Sequence, residues 1–226
     1  MDGYADRAEA GRRLAPGVVR ALGPPGPPPL VLGLPRGGVP VAAAVADALG
    51  APLDVLLVRK LGVPRHAELA FGAIASGGAR VLNPDVLATA RLDEGDVAAV
   101  LAREERELAR RERAYRGDRP PPEPRGRTAV VVDDGLATGA TMRAAVLALR
   151  ALDAARVVAT APVGSAEACA LVAAEADALV CPLVPRRFRA VGAWYADFGE
   201  VGDDDVRRAL RPFAQAAPGP PPTPGG

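Results

Sequence analysis

The segment Val130-Val131-Val132-Asp133-Asp134-Gly135-Leu136-Ala137-Thr138-Gly139-Ala140-Thr141-Met142 constrains the fold of this chain more than any other. Its β-branched run suits a buried strand, and the small-residue loop after it leads into a helical pattern over Ala140–Leu152. A strand that continues through a loop into a helix returns to a parallel partner, which points to an α/β fold. Two adjacent carboxylates stand at the carboxyl end of the strand. Beyond them, Thr138, Gly139, Ala140 and Thr141 can aim backbone N–H groups and hydroxyls at one anion, helped by the helix N-terminus. Gly139 lets the backbone approach closely. A phosphate suits this loop and a sugar diol suits Asp133 and Asp134, so a phosphorylated sugar satisfies both halves.

The rest of the chain repeats the strand–helix alternation. Leu30–Leu34 reads as a strand, Pro40–Leu49 as a helix and Leu53–Val58 as a second strand ending at Arg59-Lys60. After the motif strand Thr128–Val132, strands are expected at Val157–Pro162 and Leu179–Cys181, with a helix at Ala166–Ala174 between them. Helices are also expected at Tyr4–Leu22, Pro84–Ala90, Asp93–Tyr115 and Asp203–Phe213, and Leu69–Ala75 reads as a strand. The expectation is an open, mostly parallel sheet flanked by helices. Ligands in such sheets sit beyond the carboxyl ends of the strands, which singles out the loops Pro35–Gly38, Arg59–Arg65 and Asp133–Ala140. Arg103–Arg113 is nearly all Arg and Glu at one-turn spacing and reads as a solvated face. Ala214–Gly226 reads as a disordered Pro/Gly tail.

Charge and composition exclude several partners. The formal net charge is +1, so no basic field draws the chain to nucleic acid or an anionic membrane. Asp2, Asp6, Arg7 and Glu9 interrupt any apolar N-terminal stretch and no run is long enough to span a bilayer, so a cytoplasmic location is expected. Cys169 and Cys181 lack metal-ligand spacing and read as small buried residues in a reducing compartment. Lys60 is the one lysine among 28 basic residues. The loop after the first strand is not GxGxxG, and no GxxxxGK[ST] occurs, which excludes the usual dinucleotide and P-loop motifs.

The thirteen residues Val130–Met142 resemble the 5-phosphoribosyl-1-pyrophosphate (PRPP) motif of type I phosphoribosyltransferases, and Asp-Asp-Gly-Leu-Ala-Thr-Gly-Ala-Thr is closest to the adenine-type version. The resemblance covers roughly Tyr4–Phe213 and is close to stand-alone bacterial members of unassigned substrate. It implies one such domain over 1–213, with an insertion at about 62–127 and a small hood at about 183–202. It also implies transfer of ribose 5-phosphate from PRPP to a nitrogenous base or related acceptor, releasing pyrophosphate. By the same resemblance Asp133 and Asp134 hold the ribose diol, and Ala137, Thr138, Gly139, Ala140 and Thr141 hold the 5′-phosphate. Leu34-Pro35-Arg36-Gly37-Gly38 resembles the pyrophosphate loop, with Arg36, Gly37 and Gly38 as binding groups. Arg59-Lys60 resembles the segment whose lysine approaches pyrophosphate.

Arg36, Lys60 and Glu68 are therefore the candidate catalytic side chains, Glu68 either as proton acceptor or as a solvated carboxylate. Mg²⁺ is the implied cofactor, with Asp133, Asp134 and Asp197 as candidate ligands. Gly62–Gly78, with Arg65, His66 and Glu68, is the candidate mobile cover. Trp194 and Tyr195, with Phe198, either stack on a flat base or plug the core beneath the last helix. Ala137 stands where 6-oxopurine enzymes carry a third acid, which makes a hypoxanthine or guanine acceptor doubtful. A homodimer is implied by the family. The alternative is a non-catalytic PRPP- or nucleotide-binding regulator on the same fold, and retention of both Arg36 and Lys60 favours the enzyme.

Overall fold

The computed structural model describes residues 3–64 and 66–213, without the side chains of Ala67 and Glu68. Expectations for Arg65, for the Glu68 side chain and for the tail after Phe213 fall outside the described residues. Strands β1 (Leu30–Gly33), β2 (Leu53–Val55), β6 (Thr128–Val132), β7 (Arg156–Thr160) and β8 (Ala178–Val180) form a parallel sheet in the order β2-β1-β6-β7-β8. Successive residues of a strand point to opposite faces, and both faces here are covered. Val31, Val130, Val132 and Val158 enter one core, with helices α1 (Arg7–Leu22) and α2 (Gly38–Leu49) packed over it. Leu32, Val131, Val157 and Ala159 enter the other, beneath α5 (Ala140–Ala151) and α6 (Ala166–Glu175).

The parallel layer follows the sequence pattern closely, but the stretch after β2 does not. The strand expected over Leu53–Val58 stops at Val55. Leu57 donates to Ser76 Oγ (3.2 Å) and accepts from the Ser76 N–H (2.9 Å), which carries the chain out of the parallel sheet. A second, antiparallel sheet begins there, β3 (Val58–Val63), β4 (His66–Ala75) and β5 (Ala79–Leu82), in the order β3-β4-β5. The expected covering loop Gly62–Gly78 is thus mostly a β-hairpin, paired from Val58↔Ala75 to Val63↔His66 with irregular register near Gly62. Lys60 lies inside β3 opposite Ala73, not at the end of a parallel strand.

A short helix α3 (Pro84–Thr89) and the long α4 (Glu94–Arg116) follow. The Arg/Glu run on α4 is not wholly solvated. Glu104 is buried, and its Oε2 accepts from Arg59 Nε (2.8 Å) and Nη2 (2.5 Å), while Oε1 accepts from Arg103 Nε (2.9 Å). Periodicity alone reads such a run as surface; only the arrival of β3 beside α4 gives Glu104 a partner that tolerates burial. Arg116, at the end of the same helix, places Nε 3.1 Å from Asp54 Oδ1 in β2. The described residues end with α7 (Asp203–Leu210) and a 3₁₀ turn over Arg211–Phe213.

Phe71 on β4 is fully buried and joins Leu61, Val63 and Ile74 of the antiparallel sheet to the core under α4. Phe71→Ala is expected to cost about 3–5 kcal/mol of stability, read as a lowered urea midpoint.

Candidate functional site

Adjacent parallel strands deliver their following loops side by side, and β1 and β6 are neighbours in the register Gly33↔Val132. Leu34 N–H donates to Val132 O (2.9 Å), so the segment after β1 starts in contact with the end of β6. The Pro35–Arg36 peptide is cis, and α2 begins at Gly38. A Cβ on Gly38 would lie 2.5 Å from Val132 O and 2.9 Å from Asp133 Cα; one on Gly37 would overlap the Asp134 carboxylate. Two consecutive glycines are thus what allow the loop after β1 to lie directly on the acid pair.

The loop after β6 is tied to the loop after β7. Asp133 N–H donates to Thr160 O (3.1 Å), Leu136 N–H to Val163 O (2.9 Å) and Ser165 N–H to Leu136 O (2.9 Å). Ser165 Oγ also donates to Ala137 O (2.9 Å). Gly139 takes φ +74°, and a Cβ there would press on Ala168 at 3.3 Å. Helix α5 starts at Ala140, with Thr138 Oγ1 accepting from its N–H (3.3 Å). Ala137, Thr138 and Thr141 are exposed around this helix start, leaving hydroxyls and amide donors open to an anion.

The acid pair sits in a setting that resists charge. Burial raises the Asp133 carboxyl well above the usual carboxylate range, and the neighbouring Asp134 charge raises it further. Among the described residues only the Asp134 N–H donates to Asp133 (Oδ1, 2.9 Å). Burial also raises Asp134, opposed by Arg7, whose Nε donates to Asp134 Oδ2 at 2.9 Å. A pair of half-buried carboxylates with unused acceptor capacity fits hydroxyl donors or a shared divalent cation, since Mg²⁺ is usually held by one or two carboxylates together with substrate oxygens. No three His, Cys, Asp or Glu side chains cluster as a metal site among the described residues, Asp197 included. Asp197 accepts from Gly199 N–H (3.0 Å) and lines a cleft of about 460 Å³ with Arg7, Pro40, Glu200, Asp205 and Arg208.

The remaining candidates are placed as follows. Arg36 is half exposed, and its Nη2 donates to Glu200 Oε1 (2.7 Å); Nη1 is 4.0 Å from Asp203 Oδ1, which accepts from Tyr115 Oη (2.8 Å). Lys60 and His66 are exposed, and Lys60 forms no ion pair among the described residues. Tyr195 is buried, with Tyr4 and Phe198 at 5.6 and 5.0 Å between ring centroids, and its Oη donates to Asp134 O (2.6 Å). Its ring therefore presents no free face to a base; the packing role is the one its position supports. Trp194 is partly buried against the same cluster, and Phe198 is the exposed aromatic. Cys169 and Cys181 are free thiols packed together against Gly164, the first buried and the second partly exposed, where a Cβ would meet their Sγ atoms at 2.7 and 3.2 Å.

Sequence reasoning does not single out Arg7, Glu200 or Glu104. Each is one charged residue among many, and only distant chain segments meeting in space give it a partner. Phe198 does carry a sequence signal, as an aromatic in a chain with 4% of them.

A carboxyl whose folded pKa lies above its unfolded value contributes stability below the unfolded pKa and loses it as pH rises through the folded one. Burial puts Asp133 in that class, so the protein should lose stability upward from the ordinary carboxylate range. Asp133→Asn should raise the thermal midpoint relative to the unaltered protein at pH 8–9. The gain should shrink toward about pH 4, where both forms are neutral at this position.

A protein-family model described as "Phosphoribosyl transferase domain" matches residues 4–182. The "Putative phosphoribosyl transferase Rv0571c" of Mycobacterium tuberculosis (strain ATCC 25618 / H37Rv) is 48% identical over 217 residues, 94% of this chain. Its counterpart MT0597 in strain CDC 1551 / Oshkosh matches equally. The chain spans about half the length of these two relatives, 48% of each. The crystal structure of TT1426 from Thermus thermophilus is 44% identical, covers 93% of this chain and 99% of that one, and superposes with a TM-score of 0.84. With the family model spanning both glycine and acid-pair loops, the chain belongs to the phosphoribosyl transferase domain family.

Proposed function

We propose that this chain transfers the 5-phosphoribosyl group of PRPP to a nitrogen-bearing acceptor, releasing pyrophosphate. The observation that carries the reading is the direct packing of Gly37–Gly38 on Asp133–Asp134, which sets a candidate diphosphate-binding loop against a candidate diol-binding pair. In the reaction the ribose C1–O bond to pyrophosphate breaks and the acceptor nitrogen forms a new bond to C1. The acceptor's proton leaves to a base or to solvent. The ribose carbon gains positive charge as the leaving group departs, so the protein acts chiefly by placing charge.

Residues would act in four places. The amides and hydroxyls of Thr138–Thr141 hold the 5′-phosphate at the start of α5. Asp133 and Asp134 accept from the 2- and 3-hydroxyls and hold negative charge near the ribose ring. Arg36 and the Gly37 amide take the pyrophosphate, Gly38 serving close approach because its own N–H donates to Leu34 O (3.0 Å), with Lys60 reaching from the hairpin that starts where β2 ends. Asp133 and Asp134 would hold Mg²⁺, which when bound would supply charge neutralisation for the leaving pyrophosphate. Glu68 is retained as proton acceptor in this proposal, and Trp194 or Phe198 as the aromatic nearest an acceptor. A homodimer is carried with the proposal on family resemblance alone. No helix among the described residues is long and apolar enough to cross a membrane.

The Glu200 contact bears on how the site fills. Glu200 and Asp203 bring carboxylates to the same guanidinium that pyrophosphate would take, so they compete with it. Glu200→Gln should tighten pyrophosphate binding a few-fold in calorimetry, the range of an exposed ion pair of up to about 1 kcal/mol.

Calorimetric titration with PRPP and Mg²⁺, followed by a pyrophosphate-release screen across bases, tests the main reading. Micromolar binding with base-dependent release is expected. Asp133→Ala with Asp134→Ala should abolish PRPP binding while circular dichroism stays unchanged, and undiminished affinity in that variant would sink the site. Binding without release for any acceptor would favour a non-catalytic regulator.

A further inference from the structure

We infer that Arg7, the first residue of α1, is a positioning residue of the proposed phosphoribosyl site, holding Asp134 in the orientation that receives the ribose. The inference rests on the phosphoribosyl reading above and concerns a residue outside the motif segments.

Arg7 is held on three sides. Its Nε donates to Asp134 Oδ2 (2.9 Å) and its Nη1 to Gly199 O (2.9 Å), while its Cζ lies 3.9 Å from the centroid of the Phe198 ring. The side chain is 12% exposed and that of Asp134 16%, so this is a largely desolvated pair, not a surface one. The helix that carries Arg7 is itself fixed at its start, where Asp6 Oδ1 accepts from Glu9 N–H (2.7 Å). Just before it, Tyr4 N–H donates to Trp194 O (2.8 Å).

A cation in the first turn of a helix opposes the helix dipole, where acidic residues are favoured. Asp134, a carboxylate brought from elsewhere in the chain, offsets that cost directly. Asp134 in turn has two other constraints: Gly37 lies against it on one side, and Tyr195 Oη holds its backbone carbonyl. Without Arg7 its largely desolvated carboxylate would have no opposite charge and would be free to rotate away. Arg7 thus selects one carboxylate orientation and links it to the segment carrying Tyr195, Phe198 and Gly199. The guanidinium suits the task because it donates in two directions and stacks on an aromatic face at once.

The test uses fragments of the substrate. Ribose 5-phosphate engages the acid pair and the phosphate loop; pyrophosphate engages Arg36 and the glycine loop. In Arg7→Met, ribose 5-phosphate affinity should fall roughly tenfold, while affinity for pyrophosphate without added Mg²⁺ stays within about twofold. Arg7→Lys, which keeps the charge, should recover part of the loss. Equal losses for both fragments would mean general loosening and overturn the inference, as would no loss for either or no recovery by Lys. If the unaltered protein binds ribose 5-phosphate and PRPP but ignores changes at Arg7, only this inference fails. If the unaltered protein binds none of the three, the phosphoribosyl reading fails and takes this role with it.

Discussion

Close contact between two backbones at the carboxyl edge of the sheet underlies everything else at the site. Because β1 and β6 are neighbours, Gly37 and Gly38 lie on Asp133 and Asp134 with no room for a Cβ between them. A ligand that spans the two loops can therefore keep its diphosphate and its diol a few bonds apart, as they are in PRPP. The parallel sheet supplies the rigidity. Its strand residues are buried on both faces, so the loops leave a close-packed framework.

The same closeness concentrates charge where water is scarce. Burial works against ionisation of both acids, and the protein answers with one cation from α1 and one backbone N–H. Arg36 carries the complementary pattern, a cation on the glycine loop met by Glu200 and Asp203 from the C-terminal segment. In the free protein each half of the site is thus engaged by an internal partner of opposite charge. In the proposed reaction only the Arg36 partners give way, to pyrophosphate, while Arg7 stays on Asp134. Sites of this kind trade stability for function, with Asp133 as the costly member.

Legibility in the sequence follows the range of the interaction. Gly139 and the threonines around it are readable because strand, loop and helix start are continuous in the chain. Burial of β6 and β7 is readable from their β-branched runs. Most of β4 is readable as the strand Leu69–Ala75, but its hairpin with β3 is not, because Arg59-Lys60 and Gly62 carry no alternating pattern and the pairing runs across the hairpin to Ala75 and His66. Glu104 reads as surface for a related reason: its partner Arg59 is 45 residues away. Tyr195 and Trp194 are ambiguous between stacking and packing, and no local signal separates a buried tyrosine from one facing a ligand.

The sequence by itself determined the α/β class, the order of the parallel strands' loops and the identity of the candidate anion and diol groups. Each of those depends on side-chain period or on residues within one loop. Tertiary structure decided which charges stand beside them. Arg7, Glu200 and Glu104 acquired their roles only when segments 127, 164 and 45 residues from their partners came within hydrogen-bonding distance. One arginine among many has no distinguishing neighbour in the chain; its partner exists only in the folded state, where burial makes an unmatched charge costly.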